Sequence, residues 1–296
     1  MSRDLLTITL LTSLALAPRI AAAERLPTTR EITSVRAAGM GDAVRGFASG
    51  NEALMANPAG IAGTIRFNAE AMAIFEPAFD YRVLGVASVD SKINAEQSFA
   101  LSGGAGYYNY TSGEGAEARK GSITAAGFAL PLYPETVFIG TTAKWFKLTG
   151  AAETGATTNA VTLDAGVLVR LFSLLNLGAV GYNLVNVYSP EAQRGWGFGA
   201  AVGSGGTFNL DFDLRLDTDA AGAWARSYHA GGEYLIGGLV MPRVGYVHDG
   251  LRGVKKLTGG VSIILGTLAV ELAYQHALDG KGRYFGIGAR LLDSPG

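Results

Sequence analysis

From Arg66 onward, apolar and polar residues alternate with a period of two in stretches of about ten residues, the period of a β-strand with one apolar and one polar face. The clearest stretch is 207–217. Phe208, Leu210, Phe212, Leu214 and Leu216 take one face; Asn209, Asp211, Asp213, Arg215 and Asp217 take the other. The stretch 159–171 repeats the pattern, with Val161, Leu163, Ala165, Val167 and Val169 against Thr162, Asp164 and Arg170. In 268–277, Val270, Leu272 and Tyr274 oppose Glu271 and Gln275. Fourteen strands are predicted: 66–75, 80–90, 96–108, 120–130, 136–147, 159–171, 176–188, 195–202, 207–217, 226–236, 240–248, 255–264, 268–277 and 283–292.

The gaps alternate as well. Short ones fall near Ser91–Ala95, Pro131–Glu135, Phe172–Leu175, Gly203–Gly206, Gly237–Leu239 and Leu265–Thr267. Longer, Gly-rich ones fall near Asn109–Arg119, Leu148–Thr158, Ser189–Arg194, Thr218–Ala225, Asp249–Val254 and Leu278–Gly282, while Glu76–Phe79 is short against the rule. Tight turns on one rim, longer loops on the other and an even strand count are the pattern of an all-β, transmembrane antiparallel β-barrel of a bacterial outer membrane. Each stretch is close to the ~9–11 residues a tilted strand needs to cross a bilayer. Hydrocarbon does not solvate carboxylates, so the polar face looks into the lumen. A soluble β-sandwich also alternates, but it predicts neither this many long strands nor loop lengths that alternate by rim.

Composition narrows the picture. Of 296 residues, 48% are hydrophobic, yet beyond the N-terminal leader the apolar runs are too short for a membrane helix. A net charge of −1 gives no footprint for nucleic acid, and the lack of Cys removes disulfides and thiolate metal sites. Residues 1–23 read as a signal peptide: Arg3, the apolar run Leu5–Ala17 and the small residues Ala21–Ala23, with Glu24 as the expected mature start. Outer-membrane lipid is then the expected surrounding.

Residues 24–65 lack the alternation. A short helix is predicted within Ala48–Ala56, stopped by Asn57-Pro58, since Pro disfavours helical backbone before it. The expected organisation is signal 1–23, an N-terminal plug 24–65, barrel 66–292 and tail 293–296. Inward positions carry Glu70, Lys144, Asp164, Arg170, Asp211, Asp213, Arg215, His229, Glu233, Arg243, Glu271 and Arg290, a set in which acids and bases can pair. In Gly195–Gly199 the glycines share one face opposite Trp196 and Phe198, and Tyr284–Gly288 is similar; small inward residues let another backbone approach the wall, and 24–65 is the candidate. Tyr81, Tyr107, Tyr108, Trp145, Tyr188, Trp196, Tyr228, Tyr246 and Tyr284 near strand ends suggest interfacial girdles. Pro242 and the Gly-rich strands are candidate kinks.

The segment Arg36–Ala62, with Gly39-Met40-Gly41, the Ala43–Ala48 stretch and Asn57-Pro58-Ala59-Gly60, resembles the opening of the outer-membrane long-chain fatty-acid transporter (FadL-like) superfamily and of the related PorV/PorQ-like barrels. Leu163–Arg170 and Gly178–Asn183 resemble a mid-barrel pair of the PorV-like branch. The resemblance implies a hatch at Arg36–Ala62 inside a fourteen-stranded barrel, with Gly39, Met40, Gly41, Asn57, Pro58, Ala59 and Gly60 in the gating segment. It also implies hydrophobic substrates that pass the hatch and leave through the wall. Two features depart from it: the loops at 109–119 and 148–159 are brief and polar, and the chain ends Asp293-Ser-Pro-Gly296 rather than on an aromatic residue.

Three functions compete. The first is a passive, hatch-gated channel for hydrophobic small molecules of the long-chain fatty-acid kind. The second, which the PorV-like branch implies, is an accessory barrel that docks or shuttles proteins of a secretion system. The third, a membrane enzyme, lacks support: His229, His248 and His276 sit on different strands, and Phe47–Gly50 is no Gly-x-Ser-x-Gly elbow. No cofactor or metal site is expected.

Overall fold

The alternating stretches fold into fourteen antiparallel strands that close on themselves, each hydrogen-bonded to its sequence neighbours and the last to the first. The computed structural model describes residues 25–64, 66–91, 101–115, 118–150, 157–172, 174–187, 189–203, 206–218 and 222–293. The expected signal segment, Tyr188, the expected start of the strand over 96–108 and residues 294–296 lie outside these. The strands are β1 (Phe67–Glu76), β2 (Tyr81–Asp90), β3 (Ser102–Ser112), β4 (Arg119–Tyr133), β5 (Val137–Gly150), β6 (Thr158–Leu171) and β7 (Leu175–Tyr182). They continue with β8 (Gly195–Gly203), β9 (Phe208–Thr218), β10 (Trp224–Tyr234), β11 (Val240–Asp249), β12 (Val254–Leu265), β13 (Leu268–Ala277) and β14 (Arg283–Asp293).

The faces follow the expected parity. On β9, Leu210 and Phe212 are 60% and 55% exposed, whereas Asp211 between them is buried at 4%. Phe128, Val161, Trp196, Phe198, Val244, Leu272 and Ile287 continue the apolar exterior around the barrel. So much exposed apolar surface is the lipid-facing band of a transmembrane barrel. At the near rim, where β1 begins and β14 ends, the connections include 134–136, 172–174 and 266–267. At the far rim 113–118, 151–157 and 183–194 are longer, 219–223 and 278–282 match the near-rim 235–239 in length, and 77–80 and 250–253 are shorter still. The short gap expected at Ser91–Ala95 falls largely outside the described residues.

Three expectations need correcting. The strand placed over 176–188 ends at Tyr182, because the inward Asp164 carboxylate accepts the Asn183 N–H (2.8 Å) and Asn183 turns with a φ of 51°. Asn tolerates that left-handed backbone, and the chain then folds into the lumen. Tyr81, Tyr108 and Tyr284 are not girdle residues: they share parity with the inward face and are buried. Pro242 sits where the β10–β11 ladder stops, at Glu233↔Arg243, while the β11–β12 ladder runs through it without a shift (Pro242↔Val261); a register shift also lies at Pro131/Tyr133. The helix expected over 48–56 is shorter, a 3₁₀ turn at Gly50–Glu52 leading into α2 (Ala53–Ala56). A further helix, α1 (Val35–Gly39), precedes it.

Candidate functional site in the barrel lumen

Residues 25–64 run through the barrel from one rim to the other. At the far rim the Arg25 N–H donates to the Arg252 carbonyl (3.2 Å), and the Pro27 carbonyl accepts from Ser112 Oγ (2.7 Å). At the near rim Ser91 Oγ donates to the Ile61 carbonyl (2.7 Å) and Arg170 donates to the Gly63 carbonyl (2.8 Å). Between these ends α1 rests on β11–β14, and the turn Pro58–Ala62 rests on β3–β6.

Local sequence explains this path. Ser34 caps α1 by accepting the Ala37 N–H (3.1 Å), and Asn57 caps the next turn by accepting the Ala59 N–H (3.2 Å), with Pro58 at its first position. Asn57 also donates to the carbonyls of Arg45 (3.1 Å) and Val167 (3.2 Å), which ties the turn to β6. Wall glycines make room: a Cβ at Gly140 would stand 2.4 Å from the Pro58 carbonyl oxygen, one at Gly178 2.0 Å from that of Arg45, and one at Gly231 2.1 Å from that of Met40. The backbone of the segment therefore lies directly against the wall. Gly39 accepts from Thr258 Oγ1 (2.9 Å) and the Gly41 carbonyl faces His229 Nδ1 (2.8 Å), so Gly39, Met40, Gly41, Asn57, Pro58, Ala59 and Gly60 all sit buried on the lumen wall.

The inward charges named from the sequence gather into two groups. In the first, Glu233 accepts from Arg243 (2.9 Å), from Asn209 (2.7 Å) and from Arg36 of the segment; Arg36 also pairs with Glu52. Arg290 joins Glu271 (2.9 Å) to Glu70 (3.6 Å) and Glu52 (3.7 Å). In the second, Asp213 accepts the Val44 N–H (3.0 Å), the Arg45 N–H (2.9 Å) and the Arg45 guanidinium (2.9 Å), with Asp211 buried beside it. Lys144 pairs with Asp164 (2.8 Å), and Arg215 with Asp217 (3.0 Å). Arg170 stands apart near the near rim. Within the segment, burial raises the Asp42 carboxyl, but the adjacent Arg45 guanidinium and the field of His229 outweigh that and bring it down to about 2.

Sequence reasoning missed a further set of ion pairs, at the far rim. Arg30 reaches Asp217 (2.8 Å) and Asp249 (2.6 Å), Arg252 reaches Glu76 (3.2 Å), and Arg119 reaches Glu191 (2.7 Å) on the inward-folded connection 183–194. Glu76, Asp217, Asp249 and Arg119 of these pairs stand at the far ends of β1, β9, β11 and β4. The strand parity of Asp217 pointed to this mouth, but nothing in the sequence links Arg30 to it. Also missed was an apolar bed beneath: Ile74, Tyr81, Val83, Tyr108, Tyr110, Ile123, Phe146, Leu148 and Tyr284, covered by Ile32 and Val35 of the segment. Between segment and wall a cavity of about 10 Å³ beside Asn51, Glu70 and Tyr108 has room for about one water. Among the described residues no group of three or more His, Asp or Glu is placed to hold a metal.

No protein-family model matches the chain, and no curated protein matches it. Solved structures do. The CymD monoaromatic hydrocarbon channel aligns with a TM-score of 0.65 at 13% identity, covering 91% of this chain and 99% of that one. A Pseudomonas aeruginosa FadL homologue aligns at 0.62 and 10% identity with the same coverage. The Ralstonia pickettii toluene transporter TbuX aligns at 0.61 and 12%, covering 89% and 98%. At these identities the likeness is one of fold: the chain shares the fourteen-stranded architecture of hydrophobic-compound channels and transporters.

Proposed function

We propose that this protein is an outer-membrane channel for hydrophobic small molecules, of the long-chain fatty-acid kind, in which residues 25–64 act as a hatch and transport is passive. The observation that carries the reading is the apolar bed of Ile74, Tyr81, Val83, Tyr108, Tyr110, Ile123, Phe146 and Tyr284 inside a lumen crossed by residues 25–64. A water-filled pore has no use for such a surface, whereas a hydrophobic solute gains its desolvation there. The backbone-to-glycine contacts at Gly140, Gly178 and Gly231 leave no gap at those points, so passage there requires the segment to move. The fold shared with hydrocarbon channels supports the same reading. The brief, polar connections at 109–119 and 148–159 favour, as a second reading, a docking platform for secretion-system proteins.

The test is uptake of a labelled long-chain fatty acid by a Gram-negative strain that lacks its own such channel and expresses residues 1–296. Heat-modifiable gel migration reports folding in the same sample. Uptake above the empty-vector control supports the channel; background uptake from a folded barrel overturns it in favour of the docking role.

A further inference from the structure

Near the far rim, the inward face of β14, β2, β3 and β5 presents Tyr284, Tyr81, Tyr108, Tyr110 and Phe146 side by side. Register explains the arrangement. Glu76 of β1 pairs with Tyr81, and Phe75 pairs with Phe285, so Tyr81 and Tyr284 flank Glu76 on the two adjoining strands. Arg252 (3.2 Å) and Lys256 (3.4 Å) take up the Glu76 carboxylate. Tyr81 and Tyr284 are 2% and 3% exposed, and neither hydroxyl has a hydrogen-bond partner. Tyr110, which packs edge-on against Tyr81, spends its hydroxyl on a long bond (3.4 Å) to the Pro27 carbonyl. A buried hydroxyl without a partner is disfavoured, and Phe at either place would fill the same space without that cost. Two such hydroxyls on one apolar bed mark a surface shaped for something other than its present cover. The segment's share of that cover is aliphatic, Ile32, Val35 and Ala38, joined by Ala192 from the connection 183–194, with Met55 and Phe79 packed against the cluster.

The geometry points to a binding site for a neutral hydroxylated aromatic molecule, a phenol in chemical class, whose ring replaces Ile32 and Val35 on the bed and whose hydroxyl pairs with that of Tyr81 or Tyr284. The reasons are three. Faces and edges of four tyrosines and a phenylalanine suit a flat ring. A tyrosine hydroxyl both donates and accepts, so it complements a ligand hydroxyl in either role. The nearby charges are already committed, Arg252 and Lys256 to Glu76 and Arg30 to Asp217 and Asp249, so an ionised ligand is left without a counter-ion. This inference rests on the channel reading above and adds a preference to it: a site with buried hydroxyls discriminates against the analogue that cannot pair with them.

The test titrates the purified full chain with 4-ethylphenol and with ethylbenzene, which differ by one hydroxyl, and reads the saturable binding by calorimetry. The wild type is expected to bind 4-ethylphenol about tenfold more tightly. The double variant Tyr81→Phe/Tyr284→Phe keeps both rings; it is expected to bind the two ligands within about twofold of each other and to unfold at an unchanged or higher temperature, since the hydroxyls removed had no partner. Equal wild-type affinities, or a preference that survives the double replacement, overturn the inference and leave the hydroxyls to water alone. Saturable ethylbenzene binding without a hydroxyl preference overturns only this inference. No binding of either ligand, together with background uptake of fatty acid in cells, overturns the channel reading with it.

Discussion

The two sides of the lumen wall hold the inserted segment in different ways. On β9–β14 it is bolted by charge: Arg36 to Glu233, Arg45 to Asp213, and Glu52 to Arg290. On β14 and β1–β5, toward the far rim, Ile32 and Val35 only rest on an aromatic and aliphatic bed. A buried guanidinium stripped of its carboxylate is strongly penalised, so the charged side fixes where the segment sits. Apolar contact is non-directional and another apolar group of similar volume can replace it, so the bed is the exchangeable side. The proposed hatch needs both properties; the ion pairs sit on β9–β14, and the bed continues from β14 around β1–β5.

Several substitutions separate the two sides. Glu233→Ala carries the largest effect, because it leaves Arg36 and Arg243 buried without their shared carboxylate. Thermal unfolding should show a loss of ~3–5 kcal/mol, and Glu233→Ala combined with Arg36→Met should recover part of it. On the bed, Ile32→Ala should cost about 2 kcal/mol, the low end for a buried Ile, yet leave small-ion conductance in planar bilayers unchanged, since the charged bolts remain. A conductance rise in Ile32→Ala equal to that in Glu233→Ala would erase the distinction.

Glycine replacements sharpen it further. Gly231→Ala, on the charged side, places a methyl 2.1 Å from the Met40 carbonyl oxygen and should destabilise by about 1–3 kcal/mol with a rise in ion leak. Gly286→Ala, on the bed side, meets its nearest atom at 3.4 Å and should stay within about 0.5 kcal/mol of wild type. The smallest effect is one of pH. Arg45 holds the Asp42 carboxyl down at about 2, against an ordinary value near 4. A depressed carboxyl contributes stability that is full above its unfolded value and lost as pH falls through its folded one. The difference in unfolding temperature between wild type and Asp42→Asn should hence be flat from pH 7 to about 4 and shrink between about 4 and 2.

Much of the wall was legible in the sequence. Parity alone put Asp164, Asp211, Asp213, Arg215, Glu233, Arg243 and Glu271 inside, because one residue of slip would have turned each into lipid. Parity also held the answer for Tyr284, which shares a face with Gly286 and Gly288, but its place near a strand end suggested a girdle instead. The partners of the segment were not legible. Arg30 and Asp217, or Arg36 and Glu233, lie far apart in sequence, and only the closed register of the barrel brings them together. The helix Val35–Gly39 is too short to show a period, and its stability comes from β11–β14 rather than from its own residues.

In the proposed function residues 25–64 must move for a hydrophobic solute to pass, and the chain's lack of cysteine allows a direct test. Val35 Cβ lies 3.6 Å from where a Cβ at position 288 would stand, within disulfide reach. The double variant Val35→Cys/Gly288→Cys, reconstituted in liposomes, ties α1 to β14. Oxidised, it should fold as a heat-modifiable barrel yet take up labelled long-chain fatty acid only at background, with reduction by dithiothreitol restoring the wild-type rate. Uptake at the wild-type rate from the fully oxidised protein would contradict the account.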